Sequence, residues 1–424
     1  MSRRVVITGL GVCAPNGIGL DAFSTSLKNG ISGIRFQPKL ADLNFACQIA
    51  GEPLVPSNMA DDYFTPLQLR GLNASGIIYG VIAGTDAWKD AGLLIETNKE
   101  PDWGSGILFG TGTLGVDKFR EAIYQIDDKN VRRLGSTSVI QTMSSGISAY
   151  LGGILGCGNQ VTTNSAACTT GTEGVLMGYD RIASGRAERM LVGSCSDSGP
   201  YVWAGFDAMR ILPRKYNDNA EKASRPMSAS AAGFVPGSGA GALVLESLES
   251  ATERGAKIYA EVLGGAVNSG GQRGGGSMTA PNSLAVQRCI VKAIENSRIQ
   301  SSDIDTINGH LTATSKDPTE IENWGIALNK TGLNFPYINS TKGIVGHCLA
   351  AAGSIECVAS ILQFKNGQVY GNANCEDLHP EILKIIDSSR IPQKTIAYQP
   401  KVLAKASFGF GDVNACVIFA AFND

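Results

Sequence analysis

Apolar positions along this chain switch repeatedly between a period of two and a period near 3.6, and one such switch organises the reading. Val161, Thr162 and Thr163 make a short β-branched run. Small residues follow, and then Val175, Leu176, Tyr179, Ile182 and Ala183 recur at helical spacing. A strand, a turn and an amphipathic helix are predicted, with Gly185 at the C-terminal cap. Residues 4–10 read as a strand, with Gly9, Gly11 and Pro15-Asn16-Gly17 turning the chain. Leu69, Leu72, Ile77, Val81 and Trp88 give helical spacing to the segment Leu67–Leu93. Gly106–Phe109 and Arg189–Val192 read as buried strands, and residues 205–241 as loop leading into Ala242–Glu246. The alternation predicts a layered α/β fold.

The second half repeats the theme. Ile338-Asn339-Ser340 echoes Thr163-Asn164-Ser165, and Val358, Ile361 and Leu362 carry the helix that follows. Two related halves are expected, residues 1–255 and 256–424, with the crossing at Arg254–Lys257. A length of 424 residues exceeds what one simple core usually serves. Hydrophobic residues at 43% and charged residues at 17% suit a compact protein.

The net charge of −2, from 36 basic and 38 acidic residues, gives no general case for a nucleic-acid partner. No signal segment or membrane span is visible, and ten cysteines lie scattered without a C-x-x-C pair. A reducing, cytoplasmic setting is expected, with no disulfide framework and no metal cluster.

Candidate chemistry begins at the strand-to-helix switch. Cys168 stands where the first free N–H groups of the helix would lie, a position expected to lower a thiol pKa from about 8.5 toward 3.5–7.5. A cysteine among small residues is otherwise an inert apolar group, so this stretch alone leaves both roles open. Gly110-Thr-Gly112-Thr-Leu-Gly115 matches a dinucleotide fingerprint formally but lacks the second strand with its acidic residue. A tight turn beside another pocket is the better reading. Gly264–Gly276 lacks the ending of a phosphate loop and reads as a mobile surface loop.

Of three histidines, His310 and His347 lie in glycine-bearing turns, with Lys342 just before the second. His379 reads as an ordinary loop residue. Asp317-Pro318-Thr319-Glu320 reads as a helix start with a capping arrangement, which makes both carboxylates structural. Phe408 and Phe410 among glycines suggest a hairpin or a ring covering a cavity, anchored by the strand around Cys416–Ala420. A Cys at a helix start, two histidines, a lysine and an aromatic loop together favour covalent acyl chemistry.

These residues closely resemble the β-ketoacyl-acyl carrier protein synthases, elongating condensing enzymes of the thiolase fold. The resemblance runs through VVITGLGVCAPNG, NSAACTTG, ASRPMSASAAGFVPGSGAGALVLE, NGHLTAT, NSTKGIVGHCLAAAGSIE and SFGFGDVNA. Thiolases would need a second Cys in a Cys-x-Gly setting near the C-terminus, and initiating synthases an Asn in place of one His.

The resemblance implies two pseudo-symmetric halves in an αβαβα core, and decarboxylative condensation of an enzyme-bound acyl group with a malonyl-carrier thioester. It makes Cys168 the acyl carrier, His310 and His347 the stabilisers of the enolate, and Lys342 and Glu356 their supports. The Cys168 and Phe408 backbone N–H groups resemble an oxyanion hole, and Phe408 the gate between two substrates. Thr312 and Thr314 resemble pantetheine contacts, and Thr113 a lining residue of the acyl tunnel. No cofactor is implied, because phosphopantetheine arrives on the carrier protein.

Acyl carrier proteins are acidic, so Arg70, Lys129, Arg132, Arg133 and Arg210, with Arg214 and Lys215, become candidates for a docking patch. A homodimer pairing near Val161 is implied, with a heterodimer as the alternative. Leu311, the segment to Asp317 shortened by one residue, Ser228–Ala232, Asp412-Val413 and the glycine-rich segment before Met278 all depart from the family pattern. They point to altered substrate channels. The alternatives are a type II synthase of a polyene or polyketide pathway and a partner subunit that sets chain length.

Overall fold

The computed structural model describes residues 2–96 and 99–422. Eleven strands form its main sheet system. In the first half the spatial order is Val5–Ala14, Gly239–Ser247, Arg189–Ser196, Ser105–Thr111, Val161–Thr162. In the second it is Ala260–Ser269, Val413–Ala420, Val402–Gly409, Thr306–Asn308, Tyr337–Asn339. The directions match as well: two antiparallel pairings and then two parallel ones in each half. The halves join where Val5–Ile7 pairs with Ala260–Val262.

The echo seen in the sequence falls at equivalent places. Val161–Thr162 and Tyr337–Asn339 are the last strands of their halves. Each leads to a 3-10 turn and then a helix: Ala167–Thr169 into Thr170–Ala183, and Leu349–Ala351 into Ala352–Asn366. Both turns open on a residue of positive φ, Ala167 at 47° and Leu349 at 52°.

These two helices form the middle layer and touch strands of both halves. Ser75–Asp90 and Gly146–Leu155 cover the outer face of the first sheet, and Ser283–Asn296, backed by Asp317–Leu328, that of the second. The result is an αβαβα sandwich. Ala352–Phe364 is buried at every residue, as a helix enclosed on all sides must be. One core cluster joins Leu10, Val175 and Leu243 of the first half to Ile355, Val358 and Val417 of the second, so the halves share an interior.

The structure corrects three sequence expectations. Gly9 and Gly11 do not turn the chain. The strand runs through them, because a β-carbon at either would strike the carbonyls of Ala87 and Ala83 in the helix packed above. The segment Leu67–Leu93 is two helices, Pro66–Leu69 and Ser75–Asp90, since the intervening residues around Arg70 leave the helical region. Gly264–Ser269 belongs to a strand rather than a mobile loop, with Gly265 giving room to the Cys416 carbonyl. The helix starting at Ser283 is capped by Asn282.

Gly110 lies in the strand Ser105–Thr111, and the residues to Gly115 turn the chain into the helix Val116–Asp127. A β-carbon at Gly110 would meet Thr170 and Asn164, and one at Gly115 the Gln141 carbonyl. These glycines serve contact with neighbouring chain, which removes the dinucleotide reading.

The middle helices cross at two small residues that face each other. A β-carbon on Gly171 would collide with the Ser354 backbone nitrogen, and one on Gly353 would stand 2.5 Å from that of Thr172. Gly171→Ala is therefore expected to cost about 2 kcal/mol or more in a denaturant titration. Gly205→Ala, at a helical position with open space around it, is expected to be neutral or stabilising by up to about 1 kcal/mol.

Candidate active site

Cys168 occupies the 3-10 turn before its helix, and the surrounding hydroxyls tie that turn down. Thr169 and Thr170 donate to the carbonyls of Ala166 and Ala167 at 2.6 and 2.7 Å, while the Ala166 N–H donates back to Thr170 at 2.8 Å. The sharp reversal leaves the thiol half-buried, while the remaining cysteines are all buried. The expected lowering of its pKa is not found. Burial pushes the thiol up to about 11, outweighing the Phe410 N–H and the Lys342 ammonium, which act in the opposite sense.

His310 follows the strand Thr306–Asn308, and His347 follows the short helix Lys342–Val345. Their rings meet edge to face with centroids 5.5 Å apart. Leu349 donates its backbone N–H to His347 Nδ1 at 3.1 Å, which places the proton of the neutral ring on Nε2. An extended segment holds this residue, with its N–H on the Val235 carbonyl at 2.7 Å and its carbonyl on the Gly237 N–H at 2.9 Å. The Phe234 ring packs against the imidazole at 5.1 Å. Both histidines are held well below their ordinary pKa, first by burial and then by the Lys342 ammonium.

Asp317 and Glu320 are structural, but not as helix caps. Asp317 is the first residue of its helix, and its carboxylate accepts N–H groups from Met227, Thr312 and Ala313 at 2.8, 2.9 and 3.1 Å. Glu320 accepts those of His310 and Leu311, both at 2.7 Å. The shortened loop, strained at Leu311 and Ala313 with φ of 22° and 62°, is thus clamped onto two carboxylates. Burial raises them to about 6 and about 7 respectively. Thr312 and Thr314, 3.1 Å apart through their hydroxyls, ride on this loop.

Beneath the histidines lies a charge cluster only half anticipated from the sequence. Lys342 is ion-paired with Glu356 and donates to the His310 carbonyl at 2.7 Å. Lys405 approaches the other Glu356 oxygen at 2.8 Å. All three side chains are at most 1% exposed. Lys405 was missed because it sits in an ordinary-looking strand run, Val402–Gly409, although a lysine amid alanines there is itself the signal.

The hairpin Val402–Gly409 and Val413–Ala420 brings the aromatic loop onto Cys168. Phe408 does not supply the N–H facing the sulfur. It pairs with Asn414 within the strand, and the backbone amide that acts to lower the Cys168 thiol is that of Phe410 at the hairpin tip. Both rings reach the cavity: Phe408 packs on His310 at 6.2 Å and Phe410 on Phe206 at 6.1 Å.

Buried Asp412 fixes the tip. Its carboxylate accepts N–H groups from Gln272 and Asn282 at 2.9 and 2.8 Å, in space that only glycine leaves free at positions 270 and 276.

Cys168, His310, His347, Thr312, Thr314, Phe408 and Phe410 all line one cavity of about 560 Å³. Thr113 does not. It lies exposed beyond the end of the strand Ser105–Thr111, and its carbonyl accepts the Thr111 hydroxyl. Arg70, Lys129, Arg132, Arg133 and Arg210 are exposed, as are Arg214 and Lys215. Only Arg210 adjoins a lining residue, Met209, while Lys316 lines the cavity itself. Among the described residues no His, Cys, Asp and Glu group could hold a metal, and no helix is long and apolar enough to cross a membrane.

Comparison with known proteins identifies the family. The model of the β-ketoacyl synthase N-terminal domain matches residues 2–251, and that of the C-terminal domain residues 259–376. The chain is 33% identical to 3-oxoacyl-[acyl-carrier-protein] synthase 2 of Rhizobium meliloti, covering 99% of both chains. It is 32% identical to the chloroplastic 3-oxoacyl-[acyl-carrier-protein] synthase I of Arabidopsis thaliana, over 99% of this chain and 87% of that one. A β-ketoacyl synthase from Burkholderia phymatum superposes with a TM-score of 0.89 at 26% identity, covering 99% of this chain and all of the other. A solved type II PKS acyl-carrier protein in complex with its ketosynthase bound to the hexaketide gives 0.88 at 26%, covering both chains fully. The chain has the thiolase-like fold of the condensing enzymes and belongs to the β-ketoacyl synthase family.

Proposed function

We propose that this acyltransferase-class enzyme condenses an acyl group held on Cys168 with a malonyl group delivered by an acyl carrier protein, in the manner of fatty-acid elongation. The observation that carries this is the meeting of one thiol and two neutral imidazoles in a single cavity, above a buried cationic cluster.

In the first half-reaction the Cys168 sulfur attacks the acyl-carrier thioester. The new C–S bond forms, the carrier thiol leaves, and the proton lost from Cys168 ends on that thiol. The Phe410 N–H directed at the sulfur is placed to hold the oxyanion of this step, with the Cys168 N–H. In the second, the malonyl C–C bond breaks and CO₂ departs. The electron pair becomes an enolate whose oxygen accepts hydrogen bonds from the imidazoles. A neutral imidazole with its proton on Nε2 is the required donor, and His347 is held in that form. The carbanion then attacks the acyl carbon, and the thiolate leaves, taking from solvent the one proton the condensation consumes as the 3-oxoacyl carrier departs.

Phosphopantetheine enters with its carrier, and Thr312 and Thr314 at the cavity wall are its proposed contacts. Arg210 and Lys316 are the cations best placed to receive an acidic carrier, with Arg70, Lys129, Arg132 and Arg133 as outer contributors. A homodimer is proposed from the open edge at Val161–Thr162 and from the apolar stripe Phe119, Ile123 and Ile126, each more than half exposed. The complex of a ketosynthase with its type II PKS carrier supports a second reading, a specialised synthase, which a panel of acyl carriers of differing length and unsaturation separates from the first.

Incubation with acyl carrier thioester is expected to add the acyl mass to the protein, an increase lost in Cys168→Ala; an unmodified wild-type chain overturns the assignment. With a thiol raised to about 11, iodoacetamide labelling of Cys168 is expected to climb about tenfold per pH unit from 7 to 9 without levelling off. A plateau near pH 7 contradicts it. Glu320→Ala strips the acceptor from two backbone N–H groups. It is expected to cost about 2 kcal/mol or more in stability and to lower malonyl decarboxylation more than acylation of Cys168.

A further inference from the structure

The Lys342–Glu356 ion pair needs no third member. One ammonium and one carboxylate cancel in formal charge, and Lys342 has a second partner in the His310 carbonyl, while the other Glu356 oxygen is left without a hydrogen-bond donor. Lys405 nevertheless projects from its strand to the free side of the same carboxylate, at 0% exposure. Its ammonium also donates to Ser407 Oγ at 3.0 Å and to the Ala406 carbonyl. Ser407 Oγ lies 2.9 Å from Thr172 Oγ on the helix that follows Cys168. A continuous polar chain therefore runs from the His310 carbonyl through Lys342, Glu356, Lys405 and Ser407 to the nucleophile's helix.

The formal charge of the three side chains is +1. An ammonium taken fully out of water costs several kcal/mol unless it is compensated, and here two share one carboxylate. The uncompensated charge lies under the wall on which an enolate forms. It disfavours an imidazolium there and favours an anion.

Resting on the condensation reading above, we propose that Lys405 is a positioning residue of the site. By sharing Glu356 with Lys342 it leaves one unbalanced positive charge that keeps His310 and His347 neutral and strengthens their hold on the enolate. Lys405 lies among the groups that lower both imidazoles, behind burial and Lys342. The other titratable groups around the rings are Cys168 across the cavity, Cys348 beside His347, and Glu320 and Asp317 under the His310 loop. Lys342, Lys405, Glu356 and, in the cavity wall, Lys316 are the further charged groups, and burial raises Asp317 and Glu320 to about 6 and about 7.

The test uses the full chain with Lys405→Gln, which keeps a hydrogen-bond donor, and Lys405→Met, which fills the space with an apolar chain. Histidine ring NMR is tractable because the chain has only three histidines. In either folded variant the His310 and His347 signals are expected to titrate at higher pH than in the wild type, by about half a unit or more. The acidic limb of malonyl-carrier decarboxylation is expected to move the same way, and kcat on the neutral plateau to fall roughly tenfold through the weaker hold on the enolate, with KM little changed. Lys405→Arg restores the charge and is expected to return the titration toward wild type. Unmoved histidine titrations in a folded neutral variant overturn the proposal, as does failure of both neutral variants to fold, which makes Lys405 a fold element. Absence of CO₂ release by the wild type instead overturns the condensation reading, and the NMR result stands apart from it.

Discussion

The crossing of two helices at Gly171 and Gly353 is the constraint from which the site follows. Without β-carbons there, the middle layer closes to backbone contact, and the turns just before both helices are drawn to one place. One turn carries Cys168. The other follows His347 directly, and its Leu349 N–H fixes the imidazole tautomer. A sandwich whose middle helices stood a side chain farther apart would keep its sheets and still separate the thiol from the ring. Packing at glycine thus sets the distance over which the chemistry works.

Electrostatics then divides the labour between the two half-reactions. The thiol is raised by burial and the imidazoles are lowered by burial and by buried ammonium groups, so none of these three is an ion near neutrality. Such a site has no standing thiolate–imidazolium pair. Charge appears only when an acyl thioester or a malonyl group arrives, and then as an anion facing N–H donors and a net positive interior. Preorganised donors of that kind cost no rearrangement at the moment charge develops.

Much of this was legible because local sequence and global fold agree. The β-branched run, small turn and helical spacing located the turn that carries Cys168, and the Asn-Ser echo marked the second half at its equivalent strand. What escaped depended on contacts remote in sequence. Gly9 and Gly11 looked like turns because the helix that needs their missing side chains comes some seventy residues later. Asp317 and Glu320 looked like caps because their true partners, loop N–H groups, are invisible to a helix pattern. The thiol shift ran opposite to expectation because desolvation, a property of the whole fold, outweighed the local helix field. Phe408 and Phe410 are alike in sequence, and only hairpin register shows which amide meets the sulfur.

Asp412 carries the same logic into the substrate channel. In the sequence, a carboxylate in the aromatic loop and a run of glycines more than 130 residues earlier read as two separate oddities. In space they are one feature: side chains at positions 270 and 276 would occupy the volume the carboxylate fills. The N–H groups it binds belong to Gln272 and Asn282, on either side of Gly274, Gly275 and Thr279–Pro281 in the cavity wall. The Phe410 loop and the wall opposite are therefore fastened together at a buried charge–dipole contact. Replacing either partner alone leaves a buried carboxylate without donors or a backbone without its acceptor, so the two departures are expected to be tolerated only as a pair. The carboxylate and the glycines thus act as one packing unit of the channel wall.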